Sequence, residues 1–563
     1  MSKIPEEYLP PREYLPRKVY LLPELNYPEK LNLAKVLLDE NAEKRGDKVA
    51  IYFRDQQITY RDLQRLVNRF ANALRKLGIE KDDRVMLRSP NIPEYLIWNF
   101  ACWRIGAIPV LVSHMNRYEE VEFKANDSEA VAICVHSAWY EDVGRIRNKC
   151  PKLKHVIVVG DRIPDTVAYQ DLIRNQSEKA ETEDMSREDI GRIIYSSGTT
   201  GKPKGIIGTN GDLLSVTDTH GRYILGIRED DILGGHPYFT FAFGSVNFTL
   251  YPWRFGASVS VIDRFRAEDM FEMIQKHRIT LLFAVPTAFR MMLGLENAEK
   301  KYDCTSLRLC QSAGEWLPGA TFFEFKRRFG VEILDSLGSG DLNYWLSTRP
   351  GAPENKVGST GIDVPGIKNV VVDENFKEVP PDTLGELLVL SSTGQQYWRR
   401  PDKQKEGVVW QDCEFKGWNR PGLLFIKDED HYFWYKSRSD DMIVTAGYKI
   451  PGGEVEAALN EHRAVLESAV VDSPDKDRGT LIKAFVVLRE GFQPSENLIN
   501  ELQEHVKSRI ELYKYPRIIE FAKAEDLPRT STGKIQRNVL RELEKKKYAE
   551  MVERGIKHGS NNS

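Results

Sequence analysis

Short apolar segments alternate with helical stretches along the first part of the chain, and this alternation constrains the fold more than any other feature. Apolar residues recur at helical spacing after Tyr60, Gly78 ends that helix, and Val85-Met86-Leu87 follows as a short buried strand. A second helix is predicted from Glu94 to Ile105. Further strands are predicted at 130–134, 155–159, 258–262 and 281–285. This βα rhythm predicts an α/β fold with mostly parallel sheets that carry helices on both faces.

The pattern changes twice toward the C-terminus. Short strands separated by turn residues are predicted at 369–372, 386–390 and 432–436, which indicates a small β-rich region. A compact α+β pattern then runs from 454 to 550. We therefore predict a large N-terminal domain at 1–439 and a small, mobile α+β domain at 440–563. Residues 1–30 are rich in Pro, Tyr and Glu and are predicted to form an extended arm laid on the body.

The composition excludes several classes of protein. The 563 residues carry 80 Lys and Arg against 83 Asp and Glu, so no basic excess favours nucleic-acid binding. The six cysteines are never spaced as Cys-x-x-Cys, which favours idle thiols in a reducing cytoplasm over zinc or disulfides. The best membrane candidate, Leu96 to Leu111, is too short and contains Asn99 and Arg104. These features predict a cytoplasmic protein without a membrane span, and they leave a homo-oligomer open.

One glycine-rich run carries the chemistry. It reads Tyr195-Ser-Ser-Gly-Thr-Thr-Gly-Lys-Pro-Lys-Gly205 and follows an apolar, strand-like Ile193-Ile194. Glycines let backbone N–H groups approach a ligand, and the hydroxyls and lysines add donors and positive charge. The run is not a Walker A loop, because Pro203 stands where that loop needs a hydroxyl directly after its lysine. The run predicts a polyphosphate site.

This run resembles the phosphate loop of the adenylate-forming superfamily, which includes acyl-CoA synthetases, luciferases and peptide-synthetase adenylation domains. Other segments resemble that superfamily in the same order, from about residue 30 to residue 545. They are Gly385-Glu386-Leu387, Arg438 to Asp441, Ala446 to Ile450, Glu454-Val455-Glu456 and Pro528 to Ile535. Within the superfamily, the segments at 27–32, 417–419, 432–435, 439–443 and 513–517 look most like aryl-CoA ligases of the benzoate or 2-aminobenzoate type.

The resemblance implies a reaction in two halves. A carboxylic acid attacks the α-phosphate of ATP to give acyl-AMP and pyrophosphate, and the thiol of coenzyme A then attacks the acyl-AMP. It implies Lys534 as the catalytic residue of the first half, Arg438 at the ribose and Asp440 as the hinge. Gly447 and Tyr448 are expected along the coenzyme A tunnel. The remaining positions expected to bind ATP or AMP are Ser196, Ser197, Gly198, Thr199, Thr200, Gly201, Lys202, Lys204, Gly314, Glu315, Gly338, Ser339 and Gly340.

The resemblance also places an acyl pocket in the aromatic-rich segment from Tyr238 to Gly244. Phe239, Phe241 and Phe243 are expected to line it and Gly244 to form its floor; core packing explains any single Phe equally well. Asp341 is expected to hold Mg²⁺, although the family has a glutamate there, one methylene longer. No carboxylate lies in this aromatic segment to hold an ammonium group, which argues against amino acid substrates.

Two more positions depart from the family pattern. Gly340 replaces a threonine expected at the α-phosphate, and Leu423 replaces an aspartate expected to accept hydrogen bonds from the ribose hydroxyls. Losing hydrogen bonds to a charged acceptor costs roughly 1.5–3 kcal/mol each. Three hypotheses therefore stay open besides an aryl-CoA ligase that uses ATP, Mg²⁺ and coenzyme A. They are a short- or medium-chain aliphatic acyl-CoA synthetase, a nucleotide- or acyl-binding homologue with impaired activity, and an adenylating domain that loads a carrier protein.

Overall fold

A computed structural model describes residues 3–196, 203–340, 343–445, 448–475, 479–529 and 535–553. The chain has a mixed α/β fold with two large, mostly parallel sheets, a small antiparallel sheet and an α+β region at the C-terminal end. The predicted fold class is confirmed. None of the helices in the described ranges combines the length and apolarity that crossing a bilayer needs.

Seventeen α-helices lie in the described ranges. Their bounds are α1 Glu40–Arg45, α2 Tyr60–Lys76, α3 Pro93–Arg104, α4 Tyr118–Ser128, α5 Tyr140–Ile146, α6 Tyr169–Arg174, α7 Asn210–Val216, α8 Ala242–Thr249, α9 Tyr251–Phe255, α10 Ala267–His277, α11 Pro286–Leu293, α12 Ala298–Lys301, α13 Gly319–Phe329, α14 Pro401–Glu406, α15 Gly452–Asn460, α16 Glu496–Lys507 and α17 Arg537–Glu553.

Twenty-six strands lie in the same ranges. Their bounds are β1 Val49–Phe53, β2 Gln56–Thr59, β3 Arg84–Arg88, β4 Ile108–Leu111, β5 Ala132–His136, β6 His155–Val159, β7 Val167–Ala168, β8 Ile190–Ser196, β9 Lys204–Thr209, β10 Ile232–Gly235, β11 Ser258–Ser260, β12 Leu281–Phe283, β13 Leu309–Ala313, β14 Ile333–Ser339, β15 Asn343–Ser347, β16 Ile362–Asp363, β17 Lys368–Val372, β18 Leu384–Leu390, β19 Tyr397–Trp398, β20 Leu423–Lys427, β21 Phe433–Arg438, β22 Met442–Thr445, β23 Tyr448–Pro451, β24 Val465–Asp475, β25 Gly479–Leu488 and β26 Ile518–Phe521.

The two large sheets explain the βα rhythm. One has the order β19-β9-β8-β4-β3-β5-β6-β7, and its strands from β8 to β7 are parallel. The other has the order β16-β15-β14-β13-β12-β10-β11-β1-β2, with a parallel centre from β14 to β1. The central strands are apolar because helices cover them, as in α3, where every residue except Glu94 is buried. In open parallel sheets, ligands bind beyond the carboxyl ends of the strands, so those ends are where a site is expected.

Three smaller sheets follow. Strands β17-β18-β20-β21 form an antiparallel sheet, which agrees with the β-rich region predicted from the turn-separated strands. After β21, β22 and β23 form a hairpin, and β24-β25-β26 form a third sheet that packs against α15 and α17. A separate apolar cluster, which includes Ile443, Val455 and Leu502, lies at the centre of this last region. The described residues of 443–521 therefore include a core of their own.

The N-terminal residues lie on the body as an arm, as the sequence predicts. Residues 3–30 contain three short 3₁₀ turns and no longer helix or strand. The Tyr8 ring packs edge-on against Trp398, and the Tyr27 hydroxyl donates to the fully buried Asp218 at 2.9 Å. Trp398 belongs to β19, which pairs with β9, and β9 contains the last residues of the glycine-rich run. The arm is therefore one strand away from that run.

Candidate functional site

The glycine-rich run connects two paired strands. Ser196 is the last residue of β8 and Lys204 the first of β9, and the two are directly opposite each other in the antiparallel ladder. Of the connection between them, 197–203, only Pro203 lies within the described residues. The Lys204 ammonium lies 5.1 Å from the centre of the Tyr397 ring on β19. The structure thus brings Ser196 and Lys204, the two described residues of the run that are predicted to bind ATP, together at one end of a hairpin.

A second predicted segment packs against this hairpin. Gly338 and Ser339 end β14, and Gly340 follows them. A Cβ added at Gly340 would lie 3.2 Å from Cγ2 of Ile194 on β8 and 3.4 Å from Cδ1 of Ile206 on β9. The turn after β14 therefore touches both strands that carry the phosphate loop, and the space beside Gly340 is closed by apolar side chains.

A buried arginine lies under the same turn. Arg192 on β8 is 3% exposed, and its guanidinium donates to the Ser245 hydroxyl at 2.5 Å and to the Gly340 carbonyl at 3.4 Å. Within the described ranges it has no ion pair, and its Nε has no hydrogen-bond partner. Burial lowers the pKa of Arg192 to about 10, so the group still carries its charge at neutral pH. A buried positive charge therefore lies directly beside the turn.

The aromatic segment begins α8, and its phenylalanines differ in environment. Phe239 is 1% exposed between Tyr95 and Phe248, so it occupies a core position, whereas Phe241 and Phe243 are only partly buried. Ala242, between them, is 3.8 Å from the Cβ position of Gly340. The first turn of α8 thus meets the turn after β14. The roles of these phenylalanines in an acyl pocket remain predictions.

Backbone contacts fix the course of this segment. A Cβ at Gly244 would clash with the carbonyl oxygen of Tyr238, so only glycine fits there. The buried Asn91 amide donates to the Pro237 carbonyl at 3.1 Å and accepts from the Phe239 N–H at 2.8 Å. Tyr238 lies between those two contacts and packs edge-on against His114 at 4.7 Å.

The turn after β13 lies next to β14. Ala313, the last residue of β13, pairs with Ser336, and Gly314 follows with a φ of +89° that favours glycine. The Glu315 carboxylate accepts a hydrogen bond from the Thr287 hydroxyl at 2.9 Å. A small cavity of about 20 Å³ nearby is lined by Leu317, Gly358 and the buried Asp335, among others. Burial raises the pKa of Asp335 to about 8.

The strand pair β20–β21 carries the third group of predicted residues. Leu423 and Arg438 are directly opposite each other. The Leu423 side chain is 9% exposed and belongs to the main apolar core, so the position expected to bind ribose holds a packed leucine. Arg438 is the last residue of β21, and a 3₁₀ turn, Ser439–Asp441, leads from it to β22.

Several predicted residues lie outside the described ranges. They are Ser197, Gly198, Thr199, Thr200, Gly201, Lys202, Asp341, Gly447 and Lys534. Tyr448 is the first residue of β23. No cluster of three or more His, Cys, Asp or Glu side chains suited to a metal lies in the described ranges. Of the predicted metal site, only the neighbouring Gly340 turn is described.

Sequence reasoning missed three residues of this region. They are Arg192, Asn91 and Arg541, and each has its partner far away in the sequence. Arg192 contacts Gly340, 148 positions away, and Arg541 contacts Asp441, 100 positions away. Asn91 contacts Pro237 and Phe239, which lie 146 and 148 positions away. Arg192 had one usable signal, since an arginine inside the otherwise apolar strand that precedes the glycine-rich run is unusual. Asn91 and Arg541 had none, because asparagine in a loop and arginine on a polar helix are ordinary.

Comparisons with known proteins identify relatives over most of the chain. Residues 38–398 match the family model of AMP-binding enzymes, and residues 454–534 match that of the AMP-binding enzyme C-terminal domain. The benzoate–CoA ligase of Thauera aromatica is 34% identical, over 92% of this chain and 97% of the relative. The acetyl-coenzyme A synthetase of Bacillus subtilis is 33% identical, over 92% and 91%. The crystal structure of an anthranilate CoA ligase with anthranoyl-AMP superposes with a TM-score of 0.86 at 32% identity, covering 94% of this chain and all of that one.

Proposed function

Because this chain belongs to the AMP-binding enzymes and is an AMP-forming CoA ligase, we propose that its acid substrate is an aryl acid of the benzoate or 2-aminobenzoate type. One observation carries the proposal. Phe241, the N-cap residue of α8, and Phe243 in its first turn are partly buried and flank Ala242 in the sequence; Ala242 lies against the Gly340 turn and thus near the phosphate-loop strands. Aromatic side chains at that place suit a flat, apolar ring whose carboxylate points toward the phosphates.

The first half-reaction brings a carboxylate oxygen to a negatively charged phosphate, so charge neutralisation and alignment dominate it. We propose that backbone N–H groups of 197–202, together with Lys204, hold the phosphates of ATP. Arg438 binds the ribose, and Lys534 supplies positive charge between the acid and the α-phosphate. Mg²⁺, the usual cofactor of the family, would be held by Asp341 and the phosphates, and it neutralises phosphate charge when bound.

The second half-reaction needs the same acyl-AMP but a different access path. We propose that residues 1–439 and 440–563 are the two domains and that the chain bends at Asp440 between the halves. Gly447 and Tyr448 then border the path of the pantetheine thiol, and glycine at 447 leaves room for it. We place the protein in the cytoplasm, where ATP and coenzyme A are available. A homo-oligomer is compatible with this scheme and is not needed for it.

Pyrophosphate release with a panel of acids tests the substrate proposal. Benzoate, 2-aminobenzoate, and short and medium aliphatic acids are compared at equal concentration, with and without coenzyme A, and thioester is measured in parallel. We expect the highest kcat/KM with an aryl acid and thioester only when coenzyme A is present. Alanine and phenylalanine serve as controls, because Tyr238 to Gly244 offers no carboxylate for their ammonium groups.

The same panel decides among the alternatives. Preference for acetate or a medium-chain acid would replace the aryl proposal with an aliphatic one, which the similarity to an acetyl-coenzyme A synthetase favours. Absence of ATP-dependent pyrophosphate release with every acid would favour a homologue that binds nucleotide without turning it over. Nucleotide binding measured by calorimetry would then show whether the site still holds ATP.

A further inference from the structure

The short segment between β21 and β22 is tied on its two sides to different parts of the molecule. On one side, the Ser439 N–H donates to the carbonyl of Gly422, which precedes β20, at 2.9 Å. On the other, Asp441 is bound by Arg541 of α17: Nη1 donates to the Asp441 carboxylate at 2.8 Å, and Nη2 donates to its backbone carbonyl at 2.9 Å. Asp440 lies between the two anchors.

Arg541 is well placed to hold its side of this segment firmly. Its side chain is 12% exposed, and its Nε donates to the Asp472 carboxylate on β24 at 2.6 Å. One guanidinium therefore joins α17, β24 and the residue that follows Asp440. Charge-assisted hydrogen bonds in a fixed fork geometry restrain direction as well as distance, and partial burial strengthens them.

The part of the molecule that contains α17 and β24 also carries the two ends of the segment that contains Lys534. Arg529 and Ile535 form an antiparallel bridge across that segment, and α17 begins at Arg537. The Arg537 guanidinium binds both carboxylate oxygens of Glu456 on α15, at 2.7 and 2.5 Å. Helix α17 is thus bound to α15, to β24 and, through Arg541, to Asp441.

We propose that Arg541 is a positioning residue that confines bending between the two half-reactions to Asp440. Arg541 fixes both the carboxylate and the carbonyl of Asp441 to α17. A rotation at Asp440 alone then moves the C-terminal domain, including the segment around Lys534, to one orientation. Without Arg541 the chain can also bend at Asp441 and Met442, and the domain spends a smaller fraction of its time in productive orientations. This inference rests on the proposed alternation at Asp440.

The first test compares Arg541→Ala with a matched variant on the same helix. Glu544→Gln disturbs a buried ion pair of α17, with Lys483 on β25, and leaves Asp441 untouched. We expect Arg541→Ala to slow both single-turnover pyrophosphate release and thioester formation from pre-made acyl-AMP by about tenfold to a hundredfold, with the KM values for ATP and acid nearly unchanged. Glu544→Gln should lower the Tm comparably and leave both rates within about twofold of the parent. Equal rate losses in the two variants would overturn the proposal.

A second test asks whether Arg541 acts through Asp441. Asp441→Asn, which keeps the backbone and the side-chain shape, should slow both half-reactions less than Arg541→Ala. The double variant with Arg541→Ala should be almost as fast as Arg541→Ala alone, because both changes remove the same interaction. Additive losses in the double variant would show that Arg541 acts elsewhere, and would contradict the proposal even if Arg541→Ala alone folded poorly.

A proline at the pivot gives the sharpest test. Asp440→Pro fixes φ near −65° and restricts Ser439, so it should stop the alternation and lower steady-state turnover by about a hundredfold or more. If Arg541 confines bending to Asp440, the double variant Asp440→Pro with Arg541→Ala should turn over at least about fivefold faster than Asp440→Pro alone. The reason is that the chain can then bend at Asp441. A double variant no faster than Asp440→Pro would overturn the proposal.

Hydrogen exchange separates this inference from the proposed function. Peptides covering 439–445 should exchange faster in Arg541→Ala than in Glu544→Gln or the parent, whether or not any acid is turned over. Unchanged exchange there would overturn the positioning role while leaving the ligase activity intact. A parent enzyme without pyrophosphate release but with this exchange pattern would instead remove only the catalytic proposal.

Discussion

The turn at Gly340 and the strand position Leu423 both depart from the family pattern, but the structure accommodates them differently. At Gly340, where the family resemblance predicts a threonine, the space is closed by Ile194 and Ile206, while the charged Arg192 donates to the Gly340 carbonyl. At Leu423, where the resemblance predicts an aspartate, the apolar side chain packs into the core. The turn therefore keeps a positive charge nearby, whereas the strand position keeps no hydrogen-bonding side chain.

This difference leads us to expect that nucleotide affinity and catalysis depend on different parts of the proposed site. The phosphate side of the proposed site combines Lys204, the glycine-rich run, Arg192 and Lys534, all of which favour negative charge. On the ribose side, Arg438 lies opposite a leucine that can accept no hydrogen bond. We therefore expect changes on the phosphate side to act on turnover, and changes on the ribose side to act on KM for ATP.

The largest effect is expected from Lys534→Ala. A single charged donor at a developing negative charge contributes about a hundredfold to a thousandfold to the rate, so acyl-AMP formation should fall by at least that order. Thioester formation from pre-made acyl-AMP should survive, because the lysine is proposed to act in one half only. Single-turnover assays of the two halves measure this, with Lys545→Ala as the control, a surface lysine of α17. Equal loss in both halves would refute the alternation.

A smaller loss on the phosphate side is expected from Arg192→Met. The guanidinium reaches the turn through the Gly340 carbonyl and would act on the phosphates through that turn, so we expect acyl-AMP formation to fall by about tenfold. Stability should stay equal or rise, because a buried charge without an ion pair is costly to keep. Arg192→Lys, which keeps the charge, should recover part of the rate. If Arg192→Met were as fast as the parent and more stable, Arg192 would have no catalytic role and the two sites would not differ in charge.

Much of the fold followed from periodicity, because helix and strand repeats are local properties of the chain. Helix α2, helix α3 and strand β6 were predicted within one residue of their observed bounds. Strand β21 was predicted two residues too short at its C-terminal end, because Ser437 and Arg438 are polar residues that nevertheless pair with β20.

The site was only partly predictable, for a physical reason. Residues that resemble a family motif could be assigned from the sequence, and three of those that the structure describes, Ser196, Lys204 and Gly340, lie on or against the β8–β9 hairpin. The contacts of Arg192 with Gly340 and of Arg541 with Asp441 join residues 148 and 100 positions apart. No local pattern reports such contacts, because they depend on how the sheets and helices pack.

On the ribose side, Leu423→Asp should lower KM for ATP by about fivefold and change kcat little. A carboxylate there could accept hydrogen bonds worth about 1.5–3 kcal/mol each, and Arg438 lies opposite to stabilise it. Part of the gain is lost because the leucine is packed in the core, so the Tm should fall by several degrees. Steady-state kinetics with varied ATP measure the effect, and Leu423→Asn is the uncharged control. A changed kcat with an unchanged KM would show that position 423 belongs functionally with the phosphate side.

The smallest effect is expected from restoring the family pair with Gly340→Thr and Asp341→Glu. A threonine Cβ would lie 3.2 Å from Ile194 and 3.4 Å from Ile206, so its methyl and hydroxyl can enter only if these side chains move. Overpacking of this kind costs about 1–3 kcal/mol, which would offset most of what a new hydroxyl and a longer carboxylate contribute, and we expect kcat to change by only about twofold to threefold. Adding Ile206→Val removes the Cδ1 atom at 3.4 Å and should enlarge the gain, since the strand pairing of β9 does not depend on that atom. The measurement is kcat for pyrophosphate release together with the Tm of each variant. A tenfold rise in kcat from Gly340→Thr with Asp341→Glu, without Ile206→Val, would show that the turn has room for a side chain. The proposed difference between the closed turn at Gly340 and the substituted position Leu423 would then be wrong.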